Sequence, residues 1–156
     1  MSLNGRIALS FYTTLTNAVG NVSVSAPMRE YWSLTLNDGS GANQATGEYN
    51  ASGTIGISSA VSFNFFAAGG LTDPLGAAVS WTKIKGVMIK NTHATQPITV
   101  TSTISGLPVG TIRPDGVFFY AAPDATALVV GSGAGSITLT NLTGSSTSYI
   151  LAAVGV

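Results

Sequence analysis

The chain has no cysteine and a single histidine. The first absence excludes disulfides and thiolate metal sites. The second leaves no means of assembling the three or four nitrogen or sulfur ligands that a zinc centre needs. A fold without such staples must rest on its own core. At 156 residues one can form, since a single domain of that size buries roughly 70% of the surface its unfolded chain exposes.

Charge is also scarce. Six basic and six acidic residues make up 8% of the chain, where an ordinary soluble domain carries about 25%. Net charge is zero, so no long-range field draws the chain to nucleic acid or to an anionic membrane, and neither is expected as a partner. The surface must be made of hydroxyls, amides and backbone, which gives a free monomer little colloidal protection. Partners are therefore expected to cover much of it.

Long apolar runs are missing too. None approaches the roughly 18 to 20 residues of a transmembrane helix. The opening stretch, Met1 to Leu15, mixes polar and apolar residues without the core of a signal peptide. Assembly in a reducing cytosol is the expectation. Three glycosylation-type triplets, at Asn21, Asn50 and Asn141, are read as chance matches in a chain rich in Ser and Thr.

What remains is strand grammar. The stretch Trp81–Val100 holds a β-rich run (Lys83–Asn91), a polar loop with His93 and Pro97, and an alternating strand from Ile98 to Ile104. The first run is apolar on both faces, with Ile84 and Met88 on one and Val87 and Ile89 on the other. It reads as a central strand covered on both sides, with Gly86 marking a bulge or a close approach. Further strands are expected at 7–11, 29–36, 53–57, 61–65, 117–121, 128–130, 137–140 and 149–154. In the second of these Trp32, Leu34 and Leu36 share a face. Residues 13–27 read as a loop or weak edge strand, and residues 40–50 as a polar loop. Turn signals punctuate the chain at Asp38-Gly39, Gly69-Gly70, Asp73-Pro74 and Pro114-Asp115-Gly116. No segment has helical period. The pattern predicts an all-β, antiparallel β-sandwich of jelly-roll or Greek-key type. Residues 1–27 form an N-terminal strand or arm, and 28–156 a single sandwich domain.

No catalytic constellation emerges. His93 is a lone loop histidine. Asp38, Asp73 and Asp115 sit in turns, where a turn role suffices. The Gly131–Gly135 run lacks the Gly-Lys-Ser/Thr ending of a phosphate loop. No catalytic residue, cofactor site or metal site is nominated, and the chain is not expected to be an enzyme. The candidate partner-binding residues are Lys83, Lys85 and Lys90, with Lys83 and Lys85 on one strand face and Lys90 on the other, together with the aromatic anchors Trp32 and Trp81.

From Leu71 onward a succession of short motifs carries a resemblance. It comprises Leu71-Thr-Asp-Pro-Leu-Gly76, the Val79–Asn91 segment, Ile112-Arg-Pro-Asp-Gly-Val-Phe118, Ala122-Pro-Asp-Ala125, Ile137-Thr-Leu-Thr-Asn141 and Tyr149-Ile-Leu151. This order resembles small structural proteins encoded among the virion genes of tailed bacteriophages. Pro114-Asp115-Gly116 stands where those have Pro-Gly-Gly. The resemblance implies a capsid decoration (cement) protein on the outer surface of the virion head, assembled in the host cytoplasm. It further implies binding to the major capsid protein as a homo-oligomer, dimer or trimer, with Ser2–Val24 as an arm laid along a neighbour. A tail or tail-tip structural protein is one alternative. Another is a carbohydrate-binding sandwich module that stacks Trp32, Tyr49 or Trp81 on sugar rings.

Overall fold

The computed structural model describes residues 3–19, 22–66, 70–142 and 144–156. Ser2, the 67–69 stretch of the turn-rich connection, Asn21 and Thr143 lie outside the described residues. Within them there are strands β1 (Gly5–Val19), β2 (Val22–Asp38), β3 (Gln44–Ala45), β4 (Gly47–Ile55), β5 (Ser59–Asn64), β6 (Lys83–Asn91), β7 (Ile98–Ser102), β8 (Thr111–Ile112), β9 (Val117–Ala121), β10 (Leu128–Val129), β11 (Ser136–Asn141) and β12 (Thr147–Gly155).

Strands β4 to β12 form a sandwich. One sheet runs β4-β12-β6, with β9 and the short β10 on the other side of β6. The opposing sheet runs β5-β11-β7-β8, and every pairing in both is antiparallel. Set β10 aside and number the other body strands from β4. The first, eighth, third and sixth then share one sheet, and the second, seventh, fourth and fifth share the other. That alternation is jelly-roll order, two interlocked Greek keys.

The period-two pattern explains why these segments are strands. In β11 every second residue is buried, so Ile137 and Leu139 point inward. Outward-facing Thr138 meets Ser62 across the pair in a hydroxyl–hydroxyl hydrogen bond of 3.0 Å. Inward residues of both sheets meet in one core. Aromatic rings fill one stretch of it: Tyr49 packs edge-on to Phe65, and Phe63 edge-on to Tyr149. Trp81 stacks on Phe65 with ring centroids 5.3 Å apart.

β6 is the central strand that its two-faced apolar pattern predicted. Its register on β12 shifts between Val154 and Gly155, leaving Lys85 as the extra residue. The bulge therefore sits at Lys85, and Gly86 beside it serves the close approach.

Of the two readings of residues 13–27 the strand holds and the loop does not: among the described residues β1 and β2 pair without interruption from Gly5↔Leu36 to Val19↔Val22. This stretch reads weakly because its described side chains, Thr13, Thr14, Ser25 and Pro27, are all exposed and carry no core-facing alternation. The division drawn at residue 27 accordingly falls inside β2, and the N-terminal unit is a hairpin ending at Asp38. The loop drawn over 40–50 ends early, since β4 begins at Gly47 and pairs β12 over nine residues. Its inward residues are mostly small and its outward ones polar, which hides the alternation.

Candidate functional site

The β1–β2 hairpin is the feature that the sandwich does not need. Its base is anchored. Leu36 is buried, and the Leu3 backbone N–H donates to the Asp38 carboxylate at 3.2 Å. The ribbon then crosses the outer face of the five-stranded sheet. Ile7 lies over Gly86 of β6, and Trp32 meets Phe119 of β9 edge-on at 6.3 Å. Between ribbon and sheet lies a groove of about 320 Å³, walled by Ile7, Met88, Phe119 and Val154, with Arg6 and Glu48 as its charged members.

The strand register sorts the hairpin into two faces. Leu9, Phe11, Trp32, Glu30 and Met28 lie on one; Arg6, Tyr12, Arg29 and Tyr31 lie on the other. On the second face the arginines stack on the tyrosines, Arg6 over Tyr31 at 5.5 Å and Arg29 over Tyr12 at 5.0 Å. Hydrogen bonds from Thr14 and then Arg29 lower the Tyr12 pKa. Tyr12 and Tyr31 on that face are nonetheless 60% exposed, and on the first face Phe11 is 55% exposed, Met28 48% and Trp32 42%. Large apolar side chains concentrated on one projecting ribbon mark an interaction surface.

The five sequence-nominated residues separate. Trp32 lies on this surface. Trp81 does not: it is buried between Gly47 and Gly155 and stacked on Phe65, so it is a core residue with no ring face to offer a partner. Lys85 is a second correction. It is fully buried, and its ammonium donates to the backbone carbonyls of Gly41 and Asp124. Burial, and then the charge of Lys83, hold its pKa below the ordinary lysine value, while Asp124 opposes the shift. Lys83 turns to the same loop and donates to the Ala125 carbonyl at 2.7 Å. These two lysines pin loops internally. Lys90 is exposed on the opposite, outer face, so the three form no common basic patch.

Sequence reading missed two buried asparagines. The Asn91 amide donates to the carbonyls of Gln96, Ile112 and Arg113, and its Oδ1 accepts from the His93 N–H. The Asn141 amide donates to the carbonyls of Ile55, Gly56 and Ser145. Each ends a core strand and ties together the loops at one end of the sandwich. An asparagine at a strand end is a common turn signal, so neither stood out. His93 belongs to the same network, its Nδ1 accepting from the N–H groups of Thr95 and Gln96. Among the described residues no group of three or more His, Asp or Glu side chains converges as a metal would require.

The chain is thus a jelly-roll sandwich with a projecting, amphipathic two-stranded arm. No protein family, no curated protein and no solved structure matches it.

Proposed function

We propose that this is a non-enzymatic structural protein of a viral particle, of capsid decoration type, which binds the major-capsid shell from outside and stabilises it. The observation that carries the reading is the arm, a ribbon seated on the body at its base and leaving Phe11, Tyr12, Met28 and Tyr31 exposed further out. A two-stranded hairpin is marginal on its own in water, so a long one with exposed aromatics is built to lie on something. A compact sandwich with such an arm suits a subunit that ties neighbours in a lattice. Binding only to the assembled shell would stabilise it by mass action. The low charge and the resemblance of the C-terminal half to virion proteins support the same reading.

The carbohydrate-binding alternative loses support, because Trp81 and Tyr49 are buried and only Trp32 of its three rings is exposed. Electron cryomicroscopy of the assembled particle tests the proposal. Density for this chain bridging major-capsid subunits on the outer shell is the expected result. Density on the tail would replace the proposal with a tail-protein role, and absence from the particle would overturn both.

A further inference from the structure

The sandwich is open along one side. There β9 is the last strand of its sheet, and the two-residue β8 ends the opposing one. The ladder fixes which backbone groups of β9 are free. The Asn91 N–H donates to the Gly116 carbonyl and the Ala122 N–H to the Lys85 carbonyl, so within β9 it is Phe118 and Tyr120 that bond to β6. The N–H and C=O groups of Val117, Phe119 and Ala121 point away from β6, and among the described residues nothing pairs them. Beside this edge lies a gap of about 450 Å³, lined by Val109, Ile112, Arg113 and Phe118 among others. Phe118 and Tyr120 pack against the core yet are only half-buried. An edge meant for water is guarded by charge or proline; β9 reads Val-Phe-Phe-Tyr-Ala and has neither.

The arm overhangs the same place. Ile7 lies over Gly86 of β6, and Trp32, in the next pair on that face, meets Phe119 of β9. Phe11 belongs to the pair after that, and Met28 to the one beyond. Same-face residues on a strand are about 7 Å apart and neighbouring strands about 4.8 Å, so the step from Trp32 to Phe11 carries the ribbon past β9, above the position a further strand of the sheet would take. Phe11 and Met28 are exposed there. Arg113 is exposed as well, and among the described residues no hydrogen bond or ion pair engages its guanidinium.

We infer that this seam takes an extended segment of another protein as an added strand. Its backbone pairs with Val117, Phe119 and Ala121 along β9. Alternate side chains enter the gap against Ile112 and Phe118, the others lie beneath Phe11 and Met28, and a carboxylate meets Arg113. Main-chain bonds give such a site its affinity, and pockets for alternate side chains give it selectivity. With apolar groups above and below, the segment that fits is rich in β-branched residues and carries an acidic one. A second copy of this chain fits less well: its own β9 would bring a second overhanging arm into the same layer. Binding of a free peptide by the purified chain is independent of the shell reading.

The probe is a fluorescein-labelled synthetic peptide of alternating valine and threonine ending in aspartate, titrated with the purified full-length protein and followed by fluorescence anisotropy. Saturable one-to-one binding is expected. A peptide with proline at its centre should bind at least about tenfold more weakly, because it cannot complete the ladder. Arg113→Glu should weaken binding at least about fivefold, and a peptide ending in lysine should restore most of it. Phe11→Ser should weaken binding too. Both positions are exposed, so folding is retained, and circular dichroism checks it. Val117→Pro removes an outward N–H at the first residue of β9 and should abolish binding. A wild type that binds no peptide, or binds the proline peptide equally well, overturns the inference. So does binding indifferent to Arg113→Glu or to Phe11→Ser. Self-association of the wild type that Val117→Pro abolishes would make a second copy the occupant and overturn it as well. Failure here with outer-shell density still seen on particles would leave the shell reading standing.

Discussion

Gly86 of β6 lies directly beneath Ile7 of the arm: a Cβ at position 86 would fall 2.8 Å from Ile7 Cδ1 and 3.3 Å from Val154 Cγ2. The absence of a side chain is what lets the ribbon lie flat on the sheet. It couples the central strand of the body to the seat of the arm.

Gly86→Ala should therefore unseat the arm before it harms the sandwich. Overpacking of this kind costs about 1–3 kcal/mol, and here the cheapest relief is to lift Ile7. Trypsin cleavage at Arg29 is expected to accelerate several-fold, while the urea midpoint of the body moves little. Unchanged cleavage with a large loss of global stability would show instead that the body absorbs the strain.

Lys85 gives a prediction with a definite sign in pH. Its pKa is lowered in the fold, first by burial and then by Lys83, whereas in the unfolded chain it titrates as an ordinary lysine. Between the two values the unfolded chain binds the extra proton and the folded chain does not. Stability from this group is thus present above the ordinary lysine pKa and lost as pH falls toward the folded value. Tyr49 and Tyr149, whose pKa values burial raises, oppose this at high pH. The difference between wild type and Lys85→Met isolates the lysine. The variant should be less stable by about 3 kcal/mol at neutral pH, since two buried carbonyls lose their donor. As pH rises toward the ordinary lysine pKa, its stability should lack the wild type's rising component. Parallel denaturation profiles for the two proteins would refute the assignment.

Asn91 is the most specific of the loop ties. Its amide faces three carbonyl oxygens, so only a donor fits. Asn91→Ala leaves three acceptors bare and should cost about 3 kcal/mol. Asn91→Asp, though nearly the same shape, should cost more, because a buried carboxylate would face those oxygens with no proton to share. Urea midpoints of the two variants decide the order; an aspartate variant as stable as wild type would refute this account.

These residues also mark how much was legible. Alternation located β5, β7, β11 and β12 because each alternates against the core, the two-sided apolarity of residues 84–89 identified the central strand, and β8 went unread beside a turn signal. Alternation failed where the partner is not the core. The arm's tip pairs only with itself, and β4 lines the core with Ala51 and Gly53 as well as Tyr49. Side-chain roles failed for a different reason. Lys83, Lys85 and Lys90 have one chemistry and nearby positions, but a bulge turns one of them into a buried donor. A bulge is a property of the strand pair, which no single segment displays. Trp32 and Trp81 likewise differ only in what the chain folds over them.

The last prediction concerns Trp81, which closes the aromatic end of the core between two glycines. A Cβ on Gly155 would lie 2.5 Å from the indole ring and 2.6 Å from the Lys83 carbonyl oxygen. The first clash is with a side chain and the second with backbone held in the ladder of the same sheet. Gly155→Ala should cost at least about 2 kcal/mol. Trp81→Leu alone should cost a similar amount, through the lost stacking on Phe65 and the cavity left behind. In the double variant the smaller side chain relieves the ring clash, so the two losses should add to less than their sum, by about 1 kcal/mol. Rescue should stop there, because the Lys83 carbonyl has not moved. Full additivity in a thermal or urea cycle would mean that the ring never met the new methyl. Complete compensation would mean that the strand ends yield freely and the backbone clash carries no weight.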